Sequence, residues 1–120
     1  MTRFAVIAGL LLGAVSVALA QGQVDYPESL KGIVPPYPGA KIVMAFSNEE
    51  VDQAHLETTD AMEKVTAYYK SDLTGKGWKV ASEMSVQNSR NYTLVKGEQS
   101  LAILVTGDQG VTTVTIALNK

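Results

Sequence analysis

The stretch from Asp60 to Trp78 constrains this fold most. Met62, Val65, Tyr69 and Leu73 recur at helical spacing and make one apolar stripe. Asp60 stands ahead of it as an expected N-cap. Glu63, three residues on, is placed to reach back as in a capping box. At the other end Gly77 is expected to take the left-handed C′ conformation. Leu73 is then C3 and Trp78 is C″, the apolar pair that accompanies a Schellman cap. A helix with one apolar stripe must lay that stripe on something else.

The flanking segments say what that is, because they change to period two. Ahead of the helix, Lys41–Phe46 and Val51–Thr58 predict a hairpin around the polar turn Ser47-Asn48-Glu49-Glu50. Ala54, Leu56 and Thr58 fall on one face of its second strand, with Gln53, His55 and Glu57 on the other. Beyond the helix, Trp78, Val80, Ser82, Met84 and Val86 are expected to share a face. Turns at Gln87–Arg90, Gly97–Gln99 and Gly107–Gly110 separate three further strands: the Tyr92/Leu94/Val95 run, Leu101–Val105 and Val111–Leu118. The order ββ-α-ββββ predicts a single α+β domain over residues 41–120, one helix packed on one face of a mainly antiparallel sheet. One helix covers one face, and Thr93, Thr113 and Thr115 suggest that the other is partly solvated.

Residues 21–40 form a leader holding all four prolines. Pro35-Pro36-Tyr37-Pro38 favours an extended path, and Tyr37-Pro38-Gly39-Ala40 is a type II turn signal that should deliver the chain into the first strand. Residues 1–20 have the parts of a cleaved signal peptide: Arg3, an apolar run from Phe4 to Val17, then Ala18-Leu19-Ala20. The alternative is an uncleaved anchor. However, the run from Phe4 to Ala20 is shorter than the roughly 20 residues a spanning helix needs. The expectation is an exported protein, periplasmic or secreted, with no stable membrane insertion after cleavage. With no cysteine in the chain, neither lipid attachment through a lipobox nor a disulfide is available. The domain must rely on its apolar core, which fits a bacterial envelope.

Formal net charge is −2, and the eight lysines and two arginines form no block. Nucleic-acid binding and polybasic attachment to a membrane surface both need clustered Lys/Arg, and neither is expected.

Tyr37-Pro38-Gly39-Ala40, Thr59-Asp60, Val65-Thr66-Ala67-Tyr68-Tyr69-Lys70, Leu73 and Gly77-Trp78-Lys79-Val80 together resemble small exported bacterial proteins, often lipoproteins, with a YPGA turn and a TD-capped helix ending in Gly-Trp. The resemblance spans about Tyr37 to Val80 and rests on turn, cap and packing residues. It implies a fold and carries no established activity. This chain departs from the lipoprotein members in lacking the cysteine.

Chemistry is sparse. His55 is the only histidine, so a multi-histidine zinc site is not expected, and no Gly-x-Ser-x-Gly elbow accompanies it. Glu49, Glu50 and Asp52 read as a solvated hairpin tip, since the spacing of a calcium loop is absent. Gly107-Asp108-Gln109-Gly110 lacks the lysine of a phosphate loop and reads as a turn. Asn91-Tyr92-Thr93 matches a glycosylation acceptor by chance. No catalytic residue, metal ligand or cofactor is assigned. Tyr26, Tyr37 and Tyr68 are the candidate interaction surface, because amphipathic aromatics favour interfaces. Ordinary packing of the leader onto the domain is the alternative.

The function these observations favour is an exported, non-catalytic binding module for an unknown protein or small-molecule ligand, monomeric or weakly homo-oligomeric. The alternatives are an accessory subunit of a bacterial envelope assembly, or a small hydrolase using carboxylates such as Glu57, Asp60 or Glu98.

Overall fold

The computed structural model describes residues 25–120. The signal peptide, and residues 21–24 of the leader, lie outside the described residues. The elements are α1 (Glu28–Lys31), β1 (Lys41–Ser47), β2 (Val51–Thr58), α2 (Met62–Gly75), β3 (Lys79–Val86), β4 (Ser89–Lys96), β5 (Gln99–Asp108) and β6 (Val111–Asn119). The six strands form one antiparallel sheet in the order β1-β2-β6-β5-β4-β3. The protein is therefore α+β with the expected element order. The meander β3 to β6 is closed by the first hairpin, whose β2 runs beside β6 from Val51↔Asn119 to Thr58↔Thr112.

Local signals produced what they specified. The Ala40 amide donates to the Tyr37 carbonyl at 3.0 Å, and Gly39 has φ +80, as a type II turn requires. At the end of α2 the Trp78 amide donates to the Leu73 carbonyl and the Gly77 amide to that of Thr74, with Gly77 at φ +95. That is the Schellman cap. Leu73 is fully buried beneath it and Trp78 is nearly so.

The cap at the other end is a correction. Helix α2 starts at Met62 after Ala61, and no side chain caps it. Asp60 and Glu63 are both drawn away: the Tyr37 hydroxyl donates to Asp60, and Glu63 pairs with Arg90 of β4. Strand β3 holds a second. A bulge at Ala81 shifts its register between Val80 and Ser82, so Val80 lies opposite the buried Leu94 while Ser82, Met84 and Val86 pass to the other face. One inserted residue reverses the period-two pattern. Both edge strands carry such a bulge, the other at Val43 of β1, a device that blunts strand edges.

The core lies on one face of the sheet. Ala54 and Leu56 of β2, Val114, Ile116 and Leu118 of β6, Leu101, Ile103 and Val105 of β5 and Leu94 of β4 are at most 1% exposed. Helix α2 packs against β5 and β3, presenting Val65, Tyr69 and Leu73. The leader completes the cover. Leu30 and Val34 are fully buried, and Tyr26 and Tyr37 are 5% exposed, all in the same cluster. The opposite face has no covering element among the described residues. Along it, cross-strand neighbours form a row from Met44 through His55, Thr115, Leu104 and Asn91 to Met84.

Candidate functional site

Of the three tyrosines proposed as a surface, Tyr37 and Tyr68 are in contact, and Tyr26 lies in the same buried cluster. Tyr37 and Tyr68 meet edge to face at 5.1 Å between ring centroids, and Tyr68 and Tyr69 do so at 5.2 Å, the geometry that aromatic quadrupoles favour. Tyr68 is half-buried, while Tyr26 and Tyr37 belong to the core. The leader thus packs onto the domain, the alternative weighed above. The Tyr26 hydroxyl donates to the Val34 carbonyl at 2.6 Å, folding the leader on itself. Burial pushes the Tyr26 and Tyr69 phenols well above the ordinary tyrosine value. For Tyr37 the larger cause is its hydrogen bond to Asp60, with burial second, and the phenol is pushed up to about 12.

Asp52 is the residue that sequence reasoning misplaced. Expected at a solvated turn, it is fully buried. Its Oδ2 accepts from Ser29 Oγ and its Oδ1 from Ser47 Oγ, each at 2.5 Å, and Lys120 Nζ lies 3.0 Å from Oδ1. Burial works to raise this carboxyl, but the three hydrogen bonds and the lysine charge outweigh it and hold the pKa below the ordinary value. The available signal was the β2 alternation, which puts Asp52 on the face of Ala54 and Leu56.

Beside this cluster, a cleft opens between the leader and edge strand β1. It is an open groove of about 480 Å³, lined by Tyr26, Pro27 and Lys31 on one side and Ala45, Phe46 and Ser47 on the other. Phe46 is 50% exposed there. Asp25 and Glu28 also line it, and Glu28 pairs with Lys31 at 3.0 Å. The cleft therefore offers aromatic and proline surface next to charges of both signs. A ligand of mixed character, partly apolar and partly polar, suits such walls.

The carboxylates considered for hydrolysis do not converge. Glu57 and Asp60 lie at the end of the sheet where β2 leaves for α2, whereas Glu98 is in the β4–β5 turn at the far end of the strands. His55 is half-buried on the uncovered face with Nδ1 3.2 Å from Thr115 Oγ1. Among the described residues no three His, Cys, Asp or Glu side chains are grouped to hold a metal, and no helix is long and apolar enough to cross a membrane.

No curated protein matches the chain, and no solved structure does. A family model described as START domain-like matches residues 42–110, from the first residues of β1 through the β5–β6 turn. That segment is more than half of the 120 residues and carries both the helix and most of the sheet. The chain belongs to the START domain-like family.

Proposed function

We propose that this protein is an exported, non-catalytic module that binds a small molecule in the cleft between its leader and β1. The observation that carries the reading is the 480 Å³ cleft lined by Tyr26, Pro27 and Lys31 of the leader and by Ala45 and Ser47 of β1, on a START domain-like chain. Aromatic and proline surface supplies apolar contact area, and Lys31 with its two acidic neighbours orients a polar group. Titration with a panel of amphipathic small molecules, followed by amide chemical shifts, tests it. Shifts should cluster at residues 25–31 and 45–47, and Lys31→Ala should weaken binding of an anionic amphiphile about tenfold, the loss of one hydrogen bond to a charged group. Shifts confined to other surfaces would refute the cleft.

Export rests on residues 1–20 and on the resemblance to exported bacterial proteins. Expressed with its full chain in a bacterium, the protein should appear in the periplasm or medium with Gln21 at its N-terminus. Retention in the cytoplasm at full length would overturn that part.

A second reading, an accessory subunit of an envelope assembly, is favoured by apolar side chains on the uncovered face. Met44 and Phe46 at one edge, and Met84 and Val86 at the other, are 48–65% exposed. Co-purification with a membrane complex, lost in Met84→Lys, would distinguish it from a free binder.

A further inference from the structure

The leader lies outside the segment shared with the START domain-like family, yet it fills part of the core. Its attachment differs from that of every strand. The backbone hydrogen bonds of residues 27–40 stay within the leader: Leu30 and Lys31 donate to Pro27, Ile33 and Val34 to Leu30, and Ala40 to Tyr37. Towards the rest of the domain it makes side-chain fastenings: Ser29 to Asp52 of β2, Tyr37 to Asp60, and Ile33, whose carbonyl accepts from Lys76, just past α2, at 3.1 Å. Two of these sit near the margins of α2, and the third ends on a buried carboxylate. Lifting the leader therefore breaks no ladder bond of the sheet.

Asp52 is built as the common anchor. One carboxylate holds Ser29 of the leader, Ser47 of the edge strand and Lys120 of the C-terminus, three segments far apart in sequence. Its side chain shares a face of β2 with Ala54 and Leu56, on the half of the sheet away from β5 and β3, where α2 packs.

We propose that residues 25–40 are a releasable strap, an internal occupant of the apolar trough over β2 and β6, fastened through the Ser29–Asp52 hydrogen bond. Any apolar guest for that trough must first displace the strap. The strap also forms one wall of the proposed cleft; its release is tested without ligand, so the two readings fail separately.

The absence of cysteine makes the test direct. Ala54→Cys places a thiol on β2 beneath the strap, and Val105→Cys places one on β5 beneath α2; both sites are fully buried. Labelling by Ellman's reagent reports how often each is bared. If the strap lifts alone, the thiol at 54 should react about tenfold or more faster than that at 105. Adding Ser29→Ala should speed the reaction at 54 by about another tenfold, the loss of one hydrogen bond to a carboxylate. Equal rates at the two sites would mean that only global unfolding opens the trough, and would overturn the proposal. So would a rate at 54 unaffected by Ser29→Ala. If Ala54→Cys does not fold, Val34→Cys, on the buried face of the strap itself, gives the same comparison.

Discussion

The hydroxyl of Tyr37 donates to Oδ2 of Asp60 at 2.5 Å, across twenty-three residues of sequence. It joins the last turn of the leader to the start of the helical segment. Tyr37→Phe removes the bond and leaves the Asp60 carboxylate with Lys64 at 3.7 Å. The loss should be about 1–2 kcal/mol by urea unfolding.

The same bond makes an alkaline prediction. The folded phenol of Tyr37 is raised from 10.0 to about 12, so its contribution is fully present below pH 10 and is lost as pH rises through 12. Spectrophotometric titration of the phenols should show that Tyr37→Phe removes a late-ionising group. Stability of the native protein should fall between those values more steeply than that of the variant.

Asp52 predicts the acid limb. Its folded pKa lies below the ordinary 3.8; its stabilisation is therefore complete above that value and disappears as pH falls through the lower, folded one. Asp52→Asn should reduce stability at neutral pH by about 2 kcal/mol, since hydrogen bonds to a charged group are weakened. It should also flatten the fall in stability below pH 3.8. Chemical unfolding across pH 2 to 6 measures both.

Gly77 tests the helix stop. An added Cβ would meet nothing closer than Lys96 Cε at 3.5 Å, an ordinary contact, so any effect of Gly77→Ala comes from the backbone. At φ +95 an L-residue is strained, and the variant should lose about 1–2 kcal/mol. Gly75→Ala, inside α2 with open space around it, should instead gain up to about 1 kcal/mol. Paired thermal melts separate the two.

What the sequence made legible was local. The Tyr37–Ala40 turn, the Leu73/Gly77/Trp78 cap and the turn between β1 and β2 each depend on residues within six positions of one another, so their chemistry is written contiguously. The misread residues answer to distant partners. Asp60 has the right chemistry for a cap, but Tyr37 and Lys64 engage its carboxylate. Asp52 looks like turn polarity until Ser29 and Lys120 arrive from either end of the domain. The Ala81 bulge has no residue signature, because alanine suits either register. The leader tyrosines were legible as aromatics, and only the fold decides that Tyr26 and Tyr37 face inward. The cleft is composed of two segments, one on each side, and neither carries a motif.

The pairing of β2 with β6 has a kinetic consequence. Val51 lies opposite Asn119, so the first hairpin can join the sheet only once the final residues of the chain are present. Such non-local closure slows folding. It also means that a nascent chain lacking Val111–Lys120 holds two separate antiparallel pieces with open edges. The domain becomes a domain only at its last strand.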